Sequence, residues 1–408
     1  MTGATIDHLV AVTIFLAALL LFIGFYDQMN QTAVVYQYHS YIATECTNIL
    51  DSIMLNPGTP PNWGVSGSST QNLTFFGLQD PEFQEYDLSP FSVMRLASTT
   101  NQVYYSQTGQ WYNNVSWGLN GAYLLLQTSD CISYHEATNL LGINGTYDFQ
   151  LTVTPTLTVN VTQIPGTDLK LEVQVYGSGG FPLSNANLNY LMFWANTSSG
   201  GFPTLNSNFT SEPIQTNSTG IALEEFPSLS STTAFTFIVK VYTVGLSGMG
   251  YLSQATITNT GNIIPYIQSF DNGTANMVLA QKYGSNDPPV GMGDLYYNAS
   301  FYALPDTFVP VFGENFAGEV NYGNPYQNLT VTTDNQTGFL EIAYGDGTNY
   351  GTVIAPLGIN SLGLPVTFGS SPSGKDWVAT DLRQVIIGDI AYQAKLSLWS
   401  LTGYQVTS

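Results

Sequence analysis

Residues 9–25 read LVAVTIFLAALLLFIGF, a run of 17 in which only Thr13 and Gly24 interrupt apolar side chains. As a helix rising about 1.5 Å per residue, the run is roughly 26 Å long, close to the hydrocarbon thickness of a bilayer. Such a stretch is a secretion signal, a membrane anchor or the core helix of a filament. A cleaved signal would carry a basic start, a shorter apolar core and a small-x-small site just beyond it. Here the run passes into GFYDQMNQ, which offers no such site. A membrane-spanning helix is the expectation.

The helix is expected to continue past the apolar run. Val35, Tyr38, Ile42, Cys46, Ile49 and Ile53 recur at steps of three and four, which places them on one face. Pro57 and Gly58 stop the pattern, so a helix over residues 7–54 is predicted, apolar all round in its first half and amphipathic in its second. That stripe reads as a seat for a globular domain, with a partner helix as the alternative. No Lys or Arg lies near either end of the helix to set its orientation. The composition of the remainder does so instead: a short cytoplasmic N-terminus, one span and a large C-terminal part outside the cell.

Only 9% of residues are charged, against about 25% in an average soluble protein, so Ser, Thr, Asn, Gln and Tyr must supply the polar surface. This suits an extracellular protein. Seven basic residues face 28 acidic ones, a net charge of -21. Without clustered Lys and Arg, binding to nucleic acid or to anionic lipid heads is excluded. Asn-x-Ser/Thr sequons occur at Asn30, Asn72, Asn114, Asn144, Asn160, Asn196, Asn208, Asn217, Asn272, Asn298, Asn328 and Asn335. Their spread along the chain fits a protein carrying N-glycans.

Beyond the helix the signals are those of strands. VYYSQTGQWY reads as a hairpin and GAYLLLQT as a short buried strand, while Ser133 and Glu136 form a capping box before a short helix ending near Gly142. LKLEVQVYGSGGFPLSNANLNYLMFW, GIALEEFP and TAFTFIVKVYTV supply strands at short spacing, the pattern of a β-sandwich. The last 150 residues keep this character, and no repeat unit stands out. The expected organisation is a transmembrane and amphipathic stalk helix at 1–56, a mixed α+β domain packed on the stalk at 57–163, a sandwich at 164–256 and a second β-rich domain at 257–408. Cys46 lies on the stalk's apolar stripe and Cys131 just before the capping box. An exterior location favours a disulfide between them, with two buried free thiols as the alternative. The bridge would contribute about 3–4 kcal/mol.

Chemistry is sparse. No zinc-ligand spacing and no nucleophile motif is present, and His8, His39 and His135 fit no catalytic grouping. Asp80, Glu82, Glu85 and Asp87 crowd one loop and Glu224 adjoins Glu225; a solvated acidic surface is the expectation, with Ca²⁺ binding or paired-carboxylate hydrolysis as alternatives. The aromatics of NYLMFWAN and QWYNNVSWG are expected in β-sheet cores, with a carbohydrate platform as the alternative. No cofactor, no metal and no enzymatic activity are expected.

Two resemblances extend this reading. GATIDHLVAVTIFLAALLLFIGFY resembles the N-terminus of archaeal type IV pilin-like surface proteins with class III signal peptides. The resemblance implies cleavage after Gly3, a new N-terminus at Ala4, Asp7 in the place of the family's acidic residue, and assembly with like or unlike pilin-like helices. GFPLSNA resembles the G-x-P-L-x-N-A stretch of immunoglobulin-like surface modules. The function expected is that of a membrane-anchored extracellular structural or adhesion protein. The alternatives are a minor pilin subunit in a filament and an exported carbohydrate-binding protein or hydrolase.

Overall fold

The computed structural model describes residues 2–67, 72–83, 85–96, 101–197, 202–210, 213–255, 261–282, 293–303 and 311–401. It opens with one continuous helix, α1 (Thr2–Met54), free of proline. Its threonines do not interrupt it. Thr13, Thr32 and Thr44 donate their hydroxyls to carbonyls four residues back, at 2.8, 2.9 and 3.0 Å. At the C-terminal end the Asn56 side-chain amide donates to Ser52 O at 2.8 Å and the Leu78 amide to Ile53 O at 2.8 Å, so carbonyls without a helical donor are satisfied before Pro57.

After α1 the chain forms β1 (Asp87–Leu88), the one-turn α2 (Pro90–Met94), β2 (Gln102–Tyr105), β3 (Gln110–Leu119), β4 (Ala122–Gln127), α3 (Tyr134–Leu140) and β5 (Tyr147–Pro155). The capping box starts α3 as its sequence foretells: the Glu136 amide donates to Ser133 Oγ at 3.2 Å and the Ser133 amide to Glu136 Oε2 at 2.9 Å. The next eight strands are β6 (Thr158–Ile164), β7 (Asp168–Tyr176), β8 (Asn187–Thr197), β9 (Pro203–Phe209), β10 (Ile214–Gln215), β11 (Ile221–Ser230), β12 (Phe235–Thr243) and β13 (Leu246–Gln254). They form a three-stranded sheet, β11-β7-β6, facing a second sheet in which β9 and the two-residue β10 share one edge of β8, with β12 and then β13 on its other side. Leu169, Leu171, Val173 and Val175 of β7 meet Phe235, Phe237, Val239 and Val241 of β12 in the core between the sheets. This is an immunoglobulin-like β-sandwich by strand order. Gly248 and Gly250 let β13 close against β6: a methyl group at either would lie 2.8 Å from Leu157 Cβ or 2.6 Å from Val159 Cγ1.

A second sandwich follows, from β14 (Asn262–Asp271), β15 (Thr274–Lys282), β16 (Leu295–Ala303), β17 (Val311–Val320), β18 (Tyr326–Thr332), β19 (Gly338–Gly345) and β20 (Tyr350–Leu357). Its strands pair as β14-β15-β18 and β17-β16-β19-β20. With the two-residue β10 set aside, both sandwiches place their first, second and fifth strands in one sheet and their fourth, third, sixth and seventh in the other. The chain therefore contains a structural duplication that its sequence does not display. In the second copy β4 bridges the two sheets through single parallel pairs, Ala122 with Ile354 and Leu126 with Ile267, and carries the β2–β3 hairpin with it.

The chain then returns through β21 (Val366–Gly369), β22 (Ala379–Ile387) and β23 (Ile390–Ser400) to a sheet ordered β1-β22-β23-β5-β21. Both sandwiches are thus inserted between β5 and β21 of the helix-bearing sheet. Residues 57–163 and 257–408, expected as separate domains, are interleaved instead. β5 pairs with β23 along nine residue pairs, and β4 joins the sheets of the second sandwich. Local patterns cannot reveal this, because pairing partners some 240 residues apart leave no mark on periodicity.

The sandwiches pack on each other through their larger sheets. Phe193 of β8 meets Tyr302 of β16 and Phe339 of β19, with ring centroids 4.7 and 5.8 Å apart. Strand β12 is consequently buried on both faces: Phe235, Phe237 and Val239 point into its own sandwich, and Thr236, Ile238 and Lys240 point toward neighbouring sheets. The Lys240 ammonium pairs with Asp389 at the β22–β23 turn. The body beyond the helix is one packed unit.

Candidate functional site

The helix α1 is the feature that must meet something outside the described chain. Residues 6–34 are exposed throughout, and the apolar run contributes Leu9, Val12, Ile14, Phe15, Leu16, Leu20, Leu21, Phe22, Ile23 and Phe25 to the surface. The first fully buried residue is Ile42. Sixteen residues, 26–41, separate the run from that point, about 24 Å of helix. This spacer is polar and aromatic: Asp27, Gln28, Asn30, Gln31, Gln37 and Ser40 alternate with Tyr26, Met29, Tyr36 and Tyr41.

The seat of the helix is built from the stripe read in the sequence. Ile42, Cys46, Ile49, Leu50, Ile53 and Met54 are buried against β22 and β23. His39 stacks on Trp377, with parallel rings 4.2 Å apart, at the rim. Arg383 of β22 clamps the helix: its Nε donates to Asp51 Oδ1 at 3.0 Å and its Nη1 to Asp381 Oδ1 at 2.8 Å. Burial raises the Asp381 carboxyl, but hydrogen bonds from the Thr47 hydroxyl, the Leu382 amide and Arg383 outweigh it and hold the group below the usual carboxylate range. The helix is fixed to the sheet by apolar burial under a polar clamp, and its direction is set by the body.

Of the residues tied to processing, Gly3 and Ala4 lie in the first turns of α1, and Asp7 is exposed on it. The expected disulfide is absent. Cys46 and Cys131 are both buried free thiols. Cys46 Sγ points between β22 and β23 toward Ala379 O and Leu396 O, at 3.8 and 3.6 Å, and Cys131 Sγ turns back to Gln127 O at 3.6 Å. Burial pushes each thiol up to about 12, so both stay protonated and unreactive at neutral pH. Of the sequon asparagines beyond the helix, Asn72, Asn144, Asn160, Asn196, Asn208, Asn217, Asn272, Asn328 and Asn335 are exposed, and Asn114 and Asn298 are half-buried.

The acidic candidates do not converge. Asp80 Oδ1 accepts from the Glu82 amide at 2.9 Å within its own turn. Glu224 and Glu225 are neighbours on β11 and so point to opposite faces, Glu225 to Lys170 at 2.9 Å. No group of three or more metal-ligating side chains occurs among the described residues. Phe193 and Tyr112 are core residues, whereas Tyr104 and Trp111 form an exposed cross-strand pair with ring centroids 5.1 Å apart. Sequence reasoning missed the buried carboxyl of Glu341. The signal was present in FLEIAYG, an apolar strand with one charged residue at its centre.

No protein-family model matches the chain, and no curated protein matches it. Among solved structures, trypsin-activated alpha-2-macroglobulin from Escherichia coli superposes over 56% of this chain at 10% identity and a TM-score of 0.20, and this chain spans 18% of that protein's length. A two-domain fibronectin type III segment of chicken tenascin covers 51% of this chain and 99% of its own, at 11% identity and a TM-score of 0.18. The FN1–FN3 domains of chicken CNTN1 cover 50% and 65%, at 12% identity and a TM-score of 0.17. The immunoglobulin-like assignment rests on the strand order of the two sandwiches themselves.

Proposed function

We propose that this protein is a membrane-anchored, non-enzymatic surface protein with a structural or adhesive role. Its N-terminus is cytoplasmic and its β-rich body extracellular and glycosylated. The observation that carries this reading is the wholly uncovered apolar run of α1, joined without a break to a helix segment seated in the body. Lipid around residues 9–25 removes that surface from water, and the spacer then sets the buried seat that starts at Ile42 about 24 Å of helix beyond the run. The rigid packing of both sandwiches on the helix-bearing sheet supports a role in placement.

A filament subunit is the second reading. A helix standing clear of its body can equally be covered by sister helices, and the resemblance of residues 3–26 to pilin-like proteins favours this. Intact mass and N-terminal sequence of the protein from its native membrane, measured before and after shearing the cells, separate the two. The anchor predicts that the protein stays in the membrane pellet after shear. An N-terminus at Ala4 together with recovery in sheared fibres would replace the anchor with the filament.

A further inference from the structure

Glu341 on β19 is 0% exposed and lies where the two sandwiches meet. Thr236 Oγ1 of β12 donates to Glu341 Oε1 at 2.6 Å, and Glu341 Oε2 has no hydrogen-bond partner among the described residues. The contact continues as a chain of hydroxyls. Thr236 Oγ1 lies 3.0 Å from Ser253 Oγ of β13, which donates to Thr352 O of β20 at 2.7 Å. Polar groups from two strands of each sandwich thus form one thread across the interface, buried at Glu341 and Thr236 and half-buried at Ser253. The titratable group facing Glu341 is the Tyr302 phenol on β16, and its other polar neighbours are the hydroxyls of Thr236 on β12 and Ser300, its direct partner on β16. No basic side chain contributes to its surroundings among the described residues. Lys240, on the same face of β12, is committed to Asp389.

An ionised carboxylate in such a place loses its hydration and gains a single hydroxyl donor, a poor exchange. The uncharged acid fits the site. We propose that the contact between the two sandwiches is a proton-operated clamp, closed while Glu341 keeps its proton and loosened when that proton is lost.

Burial holds the Glu341 carboxyl well above its ordinary value of 4.5, against the lowering effect of the Thr236 hydroxyl. Because the folded state binds this proton more tightly than the unfolded chain does, the contribution is complete below 4.5. It is lost as pH rises through the elevated folded value. Burial also raises Asp80, Asp87, Asp130 and Glu224, which act in the same direction, while Asp381 acts in the opposite one. A Glu341→Gln comparison isolates the one group.

The test is urea unfolding of the full chain in detergent micelles from about pH 4 to about pH 9, for wild type and Glu341→Gln. The unfolding constant of the wild type should rise relative to that of the variant by up to tenfold per pH unit above the ordinary glutamate range. Parallel pH profiles for the two proteins would overturn the proposal. A second readout needs no variant: amide hydrogen exchange of wild type at acidic and mildly alkaline pH, corrected for intrinsic rates. Protection should fall selectively in β12 and β19 relative to β5 and β23. A uniform change, or none, contradicts the clamp.

Discussion

Arginine in place of both Leu16 and Leu20 is expected to move the full-length protein from the membrane pellet to the soluble or aggregated fraction. The two leucines are four residues apart near the middle of the apolar run, both exposed. A charged residue at the centre of a spanning helix costs about 2.5–3.5 kcal/mol on the insertion scale, and each leucine it replaces contributes a further few tenths. The pair therefore shifts insertion by about 6–8 kcal/mol. The body should not notice, because residues 6–34 are all exposed and both leucines lie within them. Fractionation and the urea midpoint of the body check both halves of the expectation. A doubly substituted chain that still resists alkaline carbonate extraction would show that lipid does not hold the run.

The second large effect is expected at Arg95, which is 0% exposed and ties three segments together. Its guanidinium donates to Gly64 O at 2.7 Å, to Asp130 O at 2.8 Å and, by a short bond, to Phe270 O. The Asp130 carboxylate lies 3.7 Å from it and accepts from the Phe270 amide at 3.1 Å. Burial lowers the guanidinium's proton affinity, and the Asp130 charge opposes that loss. Arg95→Met removes the charge that compensates Asp130 and leaves three carbonyls short of a donor. A loss of about 3–5 kcal/mol is expected, read as a fall in the urea midpoint. Lysine should restore less than half of it, since a point charge cannot reach three acceptors as the planar fork does. A change below about 1 kcal/mol would mean that water replaces the arginine at this junction.

How much of this was legible in the sequence depends on the range of the interaction involved. The helix, its apolar run and the stripe from Ile42 to Ile53 follow from a 3.6-residue period, and the α3 cap from two side chains three positions apart. The hairpin of β2 and β3 and the strands β7, β8, β11 and β12 of the first sandwich follow from alternation and turn residues. The insertion of both sandwiches between β5 and β21 was not legible, nor was the duplicated strand order, because pairing at long separation is decided by shape and burial. The missing disulfide belongs here too: Cys46 sits on the stripe as read, but only the packed sheet shows that its sulfur faces β22 and β23. Within TAFTFIVKVYTV a clue was available. Thr236 and Lys240 share one face of a strand that is otherwise apolar on both, a pattern that asks for polar partners on a second sheet.

The account turns on the helix holding a folded body outside a membrane. The most direct measurement is protease treatment of intact cells followed by alkaline carbonate extraction and mass analysis of what stays in the pellet. The account predicts that a short N-terminal fragment containing residues 9–25 is retained while the sandwich residues are released to the medium. A full-length chain protected from the protease, or an N-terminal fragment extracted by carbonate, would contradict it.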